Sequence, residues 1–139
     1  MDAHALVRRF AELCNAHDID GFSEVVAEDY RQHNPMIEGG LTGIQAGMRA
    51  FLAVFPDLTA SVDAVVAEGD LVVGRFTWRG TQQGDFMGIT ATGQTATWAS
   101  SDWWRVENGR LAEHWDVVDW AGLVNQLAAG ATASPAVDA

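Results

Sequence analysis

Two acids sit among aromatic residues in the C-terminal half of the chain. Asp102 follows Trp98-Ala99-Ser100-Ser101 and precedes Trp103-Trp104, and Asp116 lies in Glu113-His114-Trp115-Asp116-Val117-Val118-Asp119-Trp120. A carboxyl group kept from water by such neighbours has a raised pKa, which suits it to proton transfer near neutral pH. Positioned proton transfer of that kind contributes roughly 10² to 10⁴ in rate. The residues also allow a plainer reading, in which one or both acids face solvent or bind Arg75, Arg79 or Arg105.

The histidines offer further chemistry. His33, just before Asn34-Pro35 at a strand end, could line a pocket mouth as proton carrier or hydrogen-bond donor, or fix the turn before the proline. His114 shares strand parity with Asp116 and could orient it, bind substrate, or pack against backbone. No pair of histidines has helical metal-ligand spacing, and Cys14 is the only cysteine, so neither a metal nor a disulfide is expected. With Leu13 and Phe10 as neighbours, Cys14 reads first as a packed thiol. Gly80, Gly84 and Gly88 surround Phe86 without the strand-turn-helix setting of a phosphate loop, so they read as a lid or hairpin over the pocket.

Positioning these groups falls to helices first and strands after. Helical spacing of Leu6, Phe10, Leu13 and Cys14 predicts a helix from about His4 to Ala16, and Asp18 can cap a short one carrying Phe22, Val25 and Val26 inward. Residues Asp29 to Pro35 read as extended. Thr42 with Gln45 forms a capping-box pattern before a helix carrying Ile44, Met48, Phe51, Leu52 and Phe55, ended by Pro56. Strands are predicted at Leu58 to Ala67, Leu71 to Arg79, Thr95 to Val106 and Leu111 to Val118, with turns at Glu68-Gly69-Asp70 and Glu107-Asn108-Gly109. A closing helix is expected from Trp120 to Leu127, giving one domain over residues 1–128 and a disordered tail over 129–139. This order implies an α+β arrangement with a strongly curved sheet wrapped on its helices and a hollow on the concave side.

Alternation puts Trp98, Ser100, Asp102 and Trp104 on one strand face, and Ala112, His114, Asp116 and Val118 together on the next. A two-residue turn at Asn108-Gly109 would set Asp102 beside Trp115, whereas a bulge or longer turn would set it beside Asp116. Trp103 and Trp115 point away from the hollow, where outward aromatic residues suit a subunit interface.

The 139 residues carry 19 acids against eight bases, all arginine, for a net charge of −11. Such a field repels nucleic acid and anionic membranes. With no basic-then-apolar leader and no apolar run of about 20 residues, the chain reads as soluble and cytoplasmic.

Several short motifs follow in an order that resembles the SnoaL-like polyketide cyclases of the nuclear-transport-factor-two-like superfamily, from about Val7 to Leu127. They are Asp29-Tyr30, His33-Asn34-Pro35, Thr42-Gly43, Phe55-Pro56-Asp57-Leu58, the stretch Gly80-Thr81-Gln82-Gln83-Gly84-Asp85-Phe86-Met87-Gly88, Thr92-Gly93, Arg105-Val106-Glu107-Asn108-Gly109, Glu113-His114-Trp115-Asp116 and Gln126-Leu127. The resemblance implies a cystatin-like cone, an α+β barrel of mixed or antiparallel sheet on three to four helices, assembled as a homodimer or homotetramer. It further implies ring closure on a small molecule in antibiotic-type secondary metabolism, without metal or nucleotide cofactor. Asp116 matches the family's acid/base residue, and Asp102 takes the place of its second pocket group, a histidine. The family's Gly-Thr-His reads Gly80-Thr81-Gln82 here. The resemblance also implies that Asp102 and Asp116 face one cavity, and the residues expected to line it are Phe10, Cys14, His33, Phe51, Gln82, Trp98, Trp104 and His114.

Overall fold

The computed structural model describes residues 1–133. Helix α1 (Ala3–Asn15) starts where the Asp2 carboxylate accepts the Ala5 N–H at 2.8 Å, and it buries Leu6, Phe10, Leu13 and Cys14 as their spacing requires. One 3-10 turn (Asp20–Glu24) follows, opened by Asp18 accepting the Gly21 N–H at 3.0 Å. Strand β1 (Val26–Gln32) leads to helix α2 (Gly40–Val54), and then come β2 (Thr59–Glu68), β3 (Leu71–Thr81), β4 (Thr95–Glu107), β5 (Arg110–Val118) and helix α3 (Trp120–Ala133).

The sheet runs β1-β5-β4-β3-β2, with β1 parallel to β5 and the other neighbours antiparallel. It curls without closing, leaving β1 and β2 as its edges. Asn108 and Gly109, with φ of 51° and 71°, form the two-residue turn between β4 and β5, where both central residues need positive φ. No helix of the described residues is long and apolar enough to cross a membrane.

Two expectations about helix ends are corrected. Helix α2 begins at Gly40, before Thr42, and Gln45 donates to the Ile19 carbonyl at 3.2 Å instead of closing a capping box. The reason lies in the approach: the Glu38 carbonyl comes within 2.1 Å of where a Cβ on Gly43 would sit, so the chain folds back over the first turn. Helix α3 runs on to Ala133, past the expected end at Leu127, so residues 129–133 of the expected tail are helical, while 134–139 lie outside the described residues. Asp119 caps this helix at Gly122, and Gln126 ties it to both backbone groups of Thr97, with Leu123 and Leu127 fully buried beneath. Those contacts hold the apolar face that keeps the helix ordered.

Apolar packing forms two clusters on the concave side. One joins α1 to the sheet around Phe10, Phe22, Phe76 and Trp104, and the other joins α3 to the far end of β4 around Phe55, Trp98 and Leu127. Gly80 lets β3 pass Phe55, whose Cβ lies 2.8 Å from where a side chain would begin. The space between the clusters is the hollow.

Candidate active site

That space is a cavity of about 270 Å³, close to the ~300 Å³ at which ordinary small-molecule pockets begin. Phe10, Met48, Phe51, Trp78, Phe86 and Trp98 wall it, and one polar patch of Asn34, Ser100, Asp102, His114 and Asp116 lies on it. No arginine lines it.

Strand alternation aims Trp98, Ser100 and Asp102 inward from β4, and His114 and Asp116 inward from β5. Register decides whether the two sets meet. The turn is two residues long, pairing Glu107 with Arg110 and Val106 with Leu111, but a bulge then skips Ala112. Arg105 therefore pairs with Glu113, Trp104 with His114 and Asp102 with Asp116. Both acids line the same cavity, and the bulge-free register that set Asp102 beside Trp115 is not the one adopted.

Donor and acceptor identities orient the polar groups. The Asn34 amide oxygen accepts the Met36 N–H at 2.9 Å, which turns its NH₂ toward Asp116 Oδ2, also at 2.9 Å. Trp78 Nε1 donates to Ser100 Oγ at 2.8 Å, so the Ser100 hydroxyl spends its own hydrogen on Asp102 Oδ2 at 2.5 Å. Asp102 Oδ1 meets His114 Nε2 at 2.9 Å, and that nitrogen lies 3.9 Å from Asp116 Oδ2. On its other side His114 Nδ1 meets Gln32 Oε1 at 2.8 Å. Asp102 and His114 are 8% and 4% exposed, so these bonds run in a place nearly closed to water. Tyr30, buried and stacked on His114, takes the Trp104 indole N–H, and burial pushes its phenol well above the ordinary range, so it stays neutral.

Asp102, His114 and Asp116 also present ligand atoms within 4.8 Å of one another. A mixed carboxylate and imidazole set can bind a divalent cation. The expectation of no metal weighed histidine spacing and the single cysteine, and this set comes from strand pairing that neither reveals.

Of the expected lining residues, Phe10, Phe51, Trp98 and His114 reach the cavity, and four do not. His33 lies on the opposite face, with Nε2 at 2.7 Å from Glu113 and its ring stacked on Trp115 at 5.0 Å, because Gln32 pairs with His114 and takes the inward side, which turns the next residue outward. Trp104 is buried against Phe10 and Phe76 behind the polar groups. Cys14 is sealed in the core, where burial drives its thiol far above the usual range. Gln82 is fully buried but spends its amide on the loop it begins, donating to Gly84 and Ile89 carbonyls and accepting from the Thr92 N–H and hydroxyl. That loop carries Phe86 to the cavity wall, so the glycine-rich segment is a pinned cover.

None of Arg75, Arg79 and Arg105 hydrogen-bonds either cavity acid among the described residues, and Arg105 binds Glu113 and Glu107 instead. Sequence reasoning missed Gln32 and Trp78, and took Asn34 for a turn residue. Parity put Ser100 on the face of Asp102, but not its hydrogen bond to that acid.

A family model of SnoaL-like polyketide cyclases matches residues 4–127. Among solved structures, TsrD from Streptomyces laurentii is 33% identical, with TM-score 0.86 over 93% of this chain and 98% of its own. AclR from Streptomyces galilaeus, a candidate hydroxylase, is 31% identical, with TM-score 0.80 over 91% and 95%. IdmH from Streptomyces antibioticus, a candidate polyketide cyclase, is 28% identical, with TM-score 0.82 over 92% and 99%. No curated protein matches the chain.

Proposed function

The chain belongs to the SnoaL-like polyketide cyclase family, and on that premise we propose that it closes a ring in a polyketide-type small molecule by acid/base chemistry at Asp116. The observation that carries this reading is the Asp116 carboxylate itself, held at one oxygen by Asn34 in a cavity walled by aromatic rings. Asp116 removes a proton α to a carbonyl, the enolate carbon attacks a second carbonyl of the same molecule, and the new alkoxide takes a proton back. One carbon–carbon bond forms and no atom is gained or lost. An epoxide-bearing substrate would use the same groups, with the base activating a hydroxyl and an acid protonating the opening oxygen. A shaped apolar wall folds the substrate so that its ends meet, which brings the reacting atoms together before the proton moves.

The likeness to AclR supports a second reading, in which this cone is a ligand-holding partner of a hydroxylation. Replacement of Asp116 separates the two. Asp116→Asn keeps the bond to Asn34 and the cavity volume, so fold and ligand retention should persist while ring closure falls by at least about 10². The readout is chromatography of a linear polyketone carrying an acidic C–H beside an ester, incubated with each protein. Undiminished closure by the variant would sink the assignment.

Exposed Leu71, Trp103 and Val117 on the convex sheet face support assembly as a homodimer or homotetramer, which light scattering measures. A cytoplasmic place in antibiotic-type metabolism accords with this reading.

A further inference from the structure

The number of protons shared by His114 and Asp102 can be read from hydrogen bonds alone. The backbone N–H of Asn34 points at the Gln32 side chain at 3.0 Å. A backbone N–H can only donate, so the Gln32 atom facing it is the amide oxygen and not the NH₂ group. The same oxygen faces His114 Nδ1 at 2.8 Å. Two acceptors cannot bond, so Nδ1 carries the hydrogen.

His114 Nε2 then meets Asp102 Oδ1 at 2.9 Å, again two atoms that both accept unless one holds a proton. Either His114 is doubly protonated beside an Asp102 carboxylate, or neutral His114 accepts from protonated Asp102. Both arrangements place one proton between the two residues and leave the pair neutral overall. The Ser100 hydroxyl bonds the other Asp102 oxygen and is compatible with both.

Gln32 carries a second sign of this role. Its Nε2 is buried and has no hydrogen-bond partner, the one such side-chain atom found among the described residues. An unmet buried donor is unfavourable, and a leucine or methionine would avoid it. What the amide contributes in return is its oxygen, at the end of β1, the one acceptor placed against His114 Nδ1 among the described residues.

We propose that Gln32 is a positioning residue that holds the proton on His114 Nδ1, so that His114 Nε2 and Asp102 share a single proton 3.9 Å from Asp116. The site then has two stations: Asp116, which accepts the substrate's proton, and the His114–Asp102 pair, which delivers one to the developing alkoxide. After a turnover Asp116 holds one proton more and the pair one fewer, and transfer from Asp116 to His114 restores the start. The catalytic meaning of this arrangement rests on the reading of Asp116 given above, whereas the tautomer of His114 does not.

The test is a ¹H–¹⁵N long-range correlation spectrum of protein labelled with ¹⁵N-histidine, with His114 assigned by difference from His114→Gln. In the wild type, Nδ1 should bear a proton at neutral pH. In Gln32→Leu, with no acceptor for Nδ1, the ring should turn to the neutral form protonated at Nε2, which Asp102 accepts. Gln32→Glu supplies an oxygen in the same place and should restore the Nδ1 proton. A bare Nδ1 in the wild type, or a proton kept there in Gln32→Leu, would overturn the proposal, and the wild-type spectrum decides even where the leucine variant does not fold. An Asp116→Asn variant that stays active would defeat the ring-closure reading while leaving this spectrum unchanged.

Discussion

The two faces of the β4–β5 hairpin each hold a histidine against a carboxylate, and they do opposite things with it. On the concave face His114 and Asp102 meet at 2.9 Å, with side chains 5% and 11% exposed. On the convex face His33 and Glu113 meet at 2.7 Å, with His33 43% exposed and Glu113 also bonded to Arg105. Glu113 is one residue from His114, so neither composition nor position along the chain separates them. What differs is the source of compensation. Arginine neutralises Glu113, whereas the concave pair has only a shared proton. A charge balanced by a guanidinium is a fixture, and one balanced by a proton can give that proton away.

Substitutions on the two faces can break or sharpen this contrast. The largest effect on stability is expected from Asp102→Ala, which strands His114 Nε2 and the Ser100 hydroxyl and should cost about 3 kcal/mol in urea unfolding. Glu113→Ala should cost a small fraction of that, because its partners reach water; equal losses would mean that the exposure of the partners does not distinguish the faces. Next comes acid sensitivity. Hydrogen bonds from His33 first, then from Arg105, hold the Glu113 carboxyl below the ordinary glutamate value of about 4.3. Its stabilisation is therefore complete above that value and is lost as pH falls through the lower native one. Glu113→Gln should flatten the stability profile in that window, and an unchanged profile would refute the assignment. The smallest effect belongs to His33→Ala, which removes the ring stacked on Trp115 and should alter indole fluorescence while leaving ring closure within about twofold. A tenfold loss would put His33 back in the catalytic site.

Much of the fold was legible in the sequence because periodicity reports burial directly. The inward set of Trp98, Ser100 and Asp102 on β4, and of His114 and Asp116 on β5, follows from alternation alone. How the two strands meet did not follow, since the skip at Ala112 leaves no mark that alanine would not also leave in a regular strand. His33 misled for a related reason: β1 is an edge strand joined in parallel to β5, with an irregular register between Val26 and Arg31, so counting along β1 cannot predict which face its last residues take. Gln32 and Asn34 escaped notice because their roles depend on partners 82 residues away. The extension of α3 escaped because its hold on Thr97 runs through one glutamine.

Gln82, which stands where the resembling family has histidine, bears on traffic into the cavity. The four bonds of its side chain lie within the segment from Gly84 to Thr92, so lifting Phe86 from the wall requires that segment to come away as a block. Such cooperative openings are rarer than the motion of an ordinary exposed loop. Met36, which also lines the cavity and is 55% exposed, has a flexible thioether side chain free of hydrogen bonds, while its backbone N–H stays on Asn34. Rotation of the Met36 side chain, between β1 and α2, is therefore the lower-cost way to widen the cavity, and the glycine-rich cover is the wall that stays shut.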